Sequence, residues 1–236
     1  MHGDASDSAI RRRRSMREIL ARGRVLPILS IHDPATAAPL AEALVAGGVM
    51  AFEVVLRTAC AAEAVREMRA AVPDADVGMG TLLTPADVAT AVAAGATFGV
   101  SPGLTPDLAA AVRAHGLPFL PGVATPSEVL AARERGFLEQ KLFPANGTAG
   151  IAFLRAVAPV YPDVVFCPTG GIRDEDLAAY LTLPNCAVVG GSWVVPAEAV
   201  RAGDWAAVTA LAKRASRLWP HSLLHLTDEV PGAQLP

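Results

Sequence analysis

Gly80–Leu120 reads GTLLTPADVATAVAAGATFGVSPGLTPDLAAAVRAHGLPFL. Two Ala-rich segments with helical periodicity lie in it, and each leads into a short apolar run, TFGVS from Thr97 and LPFLP from Leu117. Each segment opens on Thr-Pro, at Thr84-Pro85 and Thr105-Pro106, and closes on a glycine, Gly95 or Gly116. A threonine hydroxyl accepts a bond from a free amide of the first turn, and proline at the first helical position sacrifices none. A glycine just past the last turn takes the left-handed conformation that ends a helix. The stretch is therefore two successive copies of one unit: strand, capped helix, glycine, strand.

The unit continues in both directions. Short β-branched or apolar runs start near Val25, Met50, Ala75, Thr97, Leu117, Leu138, Asp163 and Cys186, at intervals of about two dozen residues. Asp33-Pro34 and Thr125-Pro126 repeat the start signal, and Gly47 and Gly136 the stop. Eight strands alternating with helices predict an α/β protein with a single (β/α)₈ barrel. The alternative, an open doubly wound sheet, usually has fewer strands for this length and a Gly-rich first turn, and LPILSIHD (Leu26–Asp33) has none. The barrel is expected over residues 16–217 with an N-terminal helix. A flexible basic lead-in (1–15) precedes it, and a short C-terminal tail (218–236) packs on the surface or frays.

The bulk composition excludes several classes. Of 236 residues, 52% are apolar and 18% charged, which fits a well-packed soluble chain. A net charge of −3 gives no general attraction to nucleic acid or to a membrane surface. Arg11–Arg14 could be a basic arm, but a solvated approach to the first helix is the reading adopted. No apolar run is long enough to span a membrane. The three cysteines (Cys60, Cys167, Cys186) fit reduced thiols in a cytoplasmic protein. His2, His32, His115, His221 and His225 are scattered, which argues against a metal site.

The active site of such a barrel lies at the C-terminal ends of the strands. Those ends carry Ser30; Glu53 and Arg57; Gly80 and Thr81; Ser101 and Pro102; Pro121 and Gly122; Lys141 and Phe143; Thr169, Gly170 and Gly171; and Gly190, Gly191 and Ser192. In AFEVVLR, alternation puts Phe52, Val54 and Leu56 towards the helices, and Glu53, Val55 and Arg57 towards the barrel axis. The chain has 18 arginines and two lysines, and one lysine, Lys141, lies inside the apolar strand LEQKLF. It is either half of a buried ion pair with Glu53 or a nucleophile. Burial disfavours the ammonium form and frees the amine to attack a carbonyl as a Schiff-base lysine. Glu53 is then the proton shuttle. Arg57 would clamp a carboxylate, or else is a solvated strand-end charge. The glycines of CPTGGI and VGGSW, at the ends of strands seven and eight, expose backbone N–H groups to a phosphate, with Ser192 adding a hydroxyl. Cys167 reads as a small core residue and Lys213 as a surface charge.

LVAGGV, FEVVLRT, VGMGTLLTP, SPGLTP, PFLPGVATPSE, KLFPA, FCPTGGI and GGSWVVP together resemble the class I 2-keto-3-deoxy-6-phosphogluconate (KDPG) aldolases, which often also accept 4-hydroxy-2-oxoglutarate (KHG). The likeness runs from about Ile19 to Ala215. It implies a (β/α)₈ homotrimer without cofactor or metal, working through a covalent imine on Lys141. It also implies cleavage of the phosphorylated keto-deoxy sugar acid to pyruvate and glyceraldehyde 3-phosphate. By the same resemblance Glu53 is the catalytic glutamate. Arg57 and Thr81 hold the pyruvate carboxylate end, and Pro102 and Phe143 line the site. Thr169, Gly170, Gly171 and Ser192 match the substrate and phosphate region. The chain departs from the pattern after KLFPA, where NGTAG replaces an acidic residue and paired glycines, and in GVAT, where a serine is common. These departures bear on substrate preference. A galactonate-derived epimer as substrate, a non-catalytic phosphosugar-binding barrel and a phosphosugar isomerase are the competing readings.

Overall fold

In the computed structural model, residues 13–217 are described. Helix α1 (Met16–Leu20) leads into strand β1 (Val25–Leu29) and helix α2 (Ala37–Ala46). There follow β2 (Ala51–Val55), α3 (Ala61–Ala71), β3 (Asp76–Gly80), α4 (Pro85–Ala93), β4 (Phe98–Val100) and α5 (Pro106–Ala114). Next are β5 (Phe119–Leu120), β6 (Gly122–Val123), α6 (Pro126–Glu134), β7 (Glu139–Leu142), α7 (Gly150–Val157) and β8 (Val165–Pro168). The order ends with α8 (Leu177–Leu181), β9 (Val189–Gly191), α9 (Ala197–Ala202) and α10 (Trp205–Arg217).

All pairings are parallel, in the orders β5-β4-β3-β2-β1-β9 and β6-β7-β8. β5 and β6 are halves of one run, separated by Pro121, which has no N–H to donate to a ladder. At the other seam, bridges Phe166↔Cys186 and Thr169↔Gly190 join β8 to β9. The sheet thus curls into a ring of eight staves, as the repeat predicted.

The local signals act as expected at three helices. Thr84 and Thr125 form capping boxes with Asp87 and Glu128, and Thr105 accepts from the Leu108 amide. Gly95, Gly116 and Gly136 are left-handed after α4, α5 and α6. Two details differ. Asp33-Pro34 opens a 3₁₀ turn, with α2 following it. Gly48, not Gly47, is the left-handed residue after α2. Gly47 instead lets α10 approach: a Cβ there would overlap Ala212. The Thr209 and Ser216 hydroxyls then reach the carbonyls of Ala43 and Gly47, at 3.0 and 2.9 Å.

The core has two compartments. Leu29, Phe52, Val54 and Val77 belong to the layer between staves and helices. Leu26, Ala51, Phe98, Val100, Leu120, Val165 and Cys167 form the second cluster, inside the ring, with Met16, Ile19 and Leu20 of α1. α1 therefore stops the N-terminal end of the barrel with apolar side chains. Its flanks are tied down as well. Arg14 and Arg22 both pair with Asp76, at 3.2 and 2.5 Å, and Arg17 pairs with Glu139 at 2.6 Å. Arg13 donates to the carbonyls of His115 and Gly116. Arg13 and Arg14 are exposed, as a solvated lead-in expects, yet both are anchored, Arg14 to the buried Asp76 and Arg13 to the carbonyls at the end of α5. Residues 1–12, including Arg11 and Arg12, and the tail from 218 lie outside the described residues.

Candidate active site

Two of the charged groups predicted to face the barrel axis, Glu53 and Lys141, meet at its C-terminal end. Glu53 on β2 is 1% exposed and Lys141 on β7 is 7% exposed. Lys141 Nζ lies 3.6 Å from Glu53 Oε1 and 5.2 Å from the centroid of the Phe143 ring. Oε1 has no hydrogen-bond partner, so the pair is close without being locked. That leaves a carboxylate able to exchange protons with a group arriving between it and the amine.

Neighbouring residues make this pair fit. Gly80, paired in β3 with Val55, has no Cβ; one there would overlap the Glu53 carboxylate. The next residue, Thr81, has φ = 64°, an uncommon conformation for a β-branched residue. It is held there on one side by β3 and on the other by Leu82, fully buried, whose amide donates to Val100 O at 3.1 Å. Such strain persists only where surrounding packing over-determines it, and it clusters at functional sites. Gly122 sits opposite Lys141 in register, and a Cβ there would collide with the Pro102 backbone. The Pro102 backbone is thereby packed against Gly122 of β6, and its side chain is exposed.

On the far side of Lys141, its register partner is Cys167 on β8. Burial pushes the Cys167 thiol up to about 12, and Thr169 and Lys141 only partly oppose that shift. The thiol is thus neutral and acts as the small core residue expected. Thr169 is buried and occupies the space that a side chain at Gly190 would need. Gly170 packs against the Phe143 ring, which would lie 3.3 Å from a Cβ there. Gly171 and Ser192 are exposed at the mouth, whereas Gly191 is buried in β9 where a Cβ would meet the Trp193 indole.

Arg57 departs from the alternation that predicted its direction. β2 ends at Val55, and the Arg57 amide turns back to the Val55 carbonyl at 2.9 Å. The residue therefore stands exposed in the loop beyond the strand, and its guanidinium has no ion pair among the described residues. Asn146 was not among the predicted site residues. It follows β7 and its side chain donates to the Gly171 carbonyl at 2.6 Å, across 25 residues of sequence. The signal was the NGTAG departure, which read only as a change of preference. Among the described residues no group of three or more His, Cys, Asp or Glu could hold a metal ion, and no helix is long and apolar enough to cross a membrane. His32 and His115 are apart and exposed; His2, His221 and His225 lie outside the described residues.

A family profile, the aldolase family described as "KDPG and KHG aldolase", matches residues 16–211. The chain belongs to that family. It is 44% identical over 201 residues to the KHG/KDPG aldolase of Escherichia coli strain K12, covering 85% of this chain and 94% of the relative. Among solved structures it resembles the KDPG aldolase of Legionella pneumophila, with a TM-score of 0.84 and 42% identity over 86% of this chain and 98% of that one. That enzyme holds pyruvate as a covalent carbinolamine. The KDPG aldolase of Zymomonas mobilis ZM4, solved with 3-phosphoglycerate, matches at a TM-score of 0.82 and 44% identity over 88% of this chain and 97% of that one. This KDPG and KHG aldolase family member is accordingly a Schiff-base lyase, and the binding-barrel and isomerase readings fall away. Lys141 and Glu53, 3.6 Å apart, are the buried amine and carboxylate that this barrel brings together.

Proposed function

We propose that this chain cleaves KDPG to pyruvate and glyceraldehyde 3-phosphate, and KHG to pyruvate and glyoxylate, through an imine on Lys141. The observation that carries this reading is the approach of Lys141 Nζ to Glu53 Oε1 at 3.6 Å, inside a barrel where both side chains are over nine-tenths buried. Glu53 first takes the ammonium proton of Lys141, and neutral Nζ then adds to the C2 ketone, forming the C–N bond while one N–H proton passes to the ketone oxygen to give a neutral carbinolamine. Protonated Glu53 gives its proton to the C2 hydroxyl, and water leaves to give the iminium. The Glu53 carboxylate then takes the C4 hydroxyl proton. The C3–C4 bond breaks, its electrons pass to the iminium as an enamine, and the aldehyde departs. Protonation at C3 by Glu53 and addition of water release pyruvate and restore the amine. A positioned proton shuttle contributes typically about 10²–10⁴ in rate.

In this reading Arg57, exposed and unpaired, pairs with the substrate carboxylate, and Thr81 lies beside it. Pro102, Phe143 and Thr169 line the chain of the sugar acid, and Gly170, Gly171, Gly191 and Ser192 surround the phosphate. The enzyme acts as a cytoplasmic homotrimer, an assembly that the family resemblance supports and light scattering would check. The deciding experiment is incubation with pyruvate and borohydride, then intact-mass measurement and peptide mapping. One reduced pyruvyl adduct on Lys141 is expected. An adduct elsewhere, or none while pyruvate binds, would overturn the assignment of the lysine.

A further inference from the structure

The loop after β7 and the glycine turn after β8 are joined by three successive hydrogen bonds. The Ala145 amide donates to the Thr169 carbonyl at 2.8 Å, and the Asn146 amide to the Gly170 carbonyl at 3.2 Å. The Asn146 side-chain Nδ2 donates to the Gly171 carbonyl at 2.6 Å. Carbonyls along an extended strand alternate in direction, yet here three in a row face the same neighbour. Gly170 and Gly171 permit this with φ of 101° and 76°. Their packing is close: a Cβ on Gly171 would overlap the Asn146 side chain.

In a planar trans peptide the N–H points opposite to the preceding C=O. Each carbonyl drawn towards Asn146 therefore turns the following amide away from it. The amides of Gly171 and Ile172 are turned in this way, and neither has an acceptor among the described residues. Adjacent unpaired amides on a curled glycine turn form an anion-binding concavity.

We propose that the Asn146 side chain is a positioning group for the phosphate of the substrate: by holding the Gly171 carbonyl it aims the Ile172 amide at the phosphate beside the Gly171 amide, and it so sets the preference for phosphorylated over unphosphorylated substrates. This rests on the reading of Gly170 and Gly171 as part of the phosphate site. The partner is a carbonyl oxygen, so the group facing it is the amide NH₂. An ionised carboxylate in its place has no donor and would repel both the carbonyl and the incoming phosphate. The two backbone bonds do not involve the Asn146 side chain, so alanine or aspartate at 146 keeps them and the loop stays in place. Only the third carbonyl is released, and with it the orientation of the Ile172 amide.

The test compares the full-length parent with Asn146→Ala, Asn146→Asp and Ser192→Ala, on KDPG and on KHG. Asn146→Ala is expected to raise KM for KDPG about tenfold more than KM for KHG, the loss of one hydrogen bond at an anion site, while kcat on KDPG changes little. Asn146→Asp should lose more on KDPG than Asn146→Ala does. Equal losses on both substrates, or an unchanged KM for KDPG, would overturn the proposal. Competition by inorganic phosphate against KDPG separates the underlying reading. If phosphate competes in the parent and Ser192→Ala weakens that competition while Asn146→Ala does not, the role of Asn146 fails alone. If phosphate does not compete at all, the phosphate site itself is misread and the proposal falls with it.

Discussion

Substituting Gly80 with alanine tests the geometry of the catalytic pair without touching either member. The added methyl would occupy the space now held by Glu53 Oε1, and the three nearest atoms all belong to that side chain. Gly80 does not have a positive φ, so the backbone accepts alanine. The carboxylate must give way from the position it holds 3.6 Å from Lys141 Nζ. Forcing one methyl into a packed interior costs about 1–3 kcal/mol. At about 2–4 °C per kcal/mol for a chain of this size, melting should fall by a few degrees with the fold retained. The 3.6 Å contact is lost, and with it the positioned proton shuttle. Retro-aldol kcat should drop by about 10²-fold or more. Pyruvate release coupled to lactate dehydrogenase measures the rate, and borohydride trapping reports whether Lys141 still reacts. A trapped adduct with slow turnover is expected. Turnover within about threefold of the parent would refute the idea that Gly80 exists to seat Glu53.

Other consequences concern parts of the barrel away from the chemistry. Asp76→Asn removes the partner of both Arg14 and Arg22; with Asp76 buried and the arginines part-exposed, it should cost about 1–2 kcal/mol in chemical denaturation and leave kcat unchanged. The Asp163 carboxyl is held below its usual range by the hydrogen bond from Arg133, so its ionised form stabilises the fold at neutral pH and that contribution disappears as pH falls through the depressed value. Asp163→Asn should therefore lower the melting temperature near pH 7 and converge with the parent in acid. A melting difference that grew on acidification would contradict the sign. Maleimide should modify Cys60 first in the folded protein, because burial pushes the Cys167 and Cys186 thiols up and removes them from solvent. Prompt labelling of Cys167 would show that the wall beside Lys141 opens.

The repeat, the capped helix starts and the eight staves were legible in the sequence because each depends on neighbours a few residues away. Thr84 finds Asp87 within one turn, and Glu53 and Lys141 face the axis because a strand alternates with a period of two. A lysine inside LEQKLF stood out for the same reason: an apolar strand states its own environment. Barrel closure added what no local rule contains. One stave, split at Pro121, pairs with β4 through Leu120 and with β7 through Gly122. Arg13 and Arg14, solvated by any reading of a basic run, are bound because the ring brings Asp76 and the end of α5 beneath them. Arg57 lost its strand direction to a turn that its own amide closes on the Val55 carbonyl. Gly80 and Gly122 read as strand-end glycines, yet their lack of a side chain matters through Glu53 and Pro102, which reach them from other staves. Asn146 and Gly171 are far apart in the chain and meet because β7 and β8 are adjacent. Chemistry carried by one residue type on one element can be read from the chain. Space left empty for a distant neighbour, and a bond made across two loops, exist only once the sheet has curled shut.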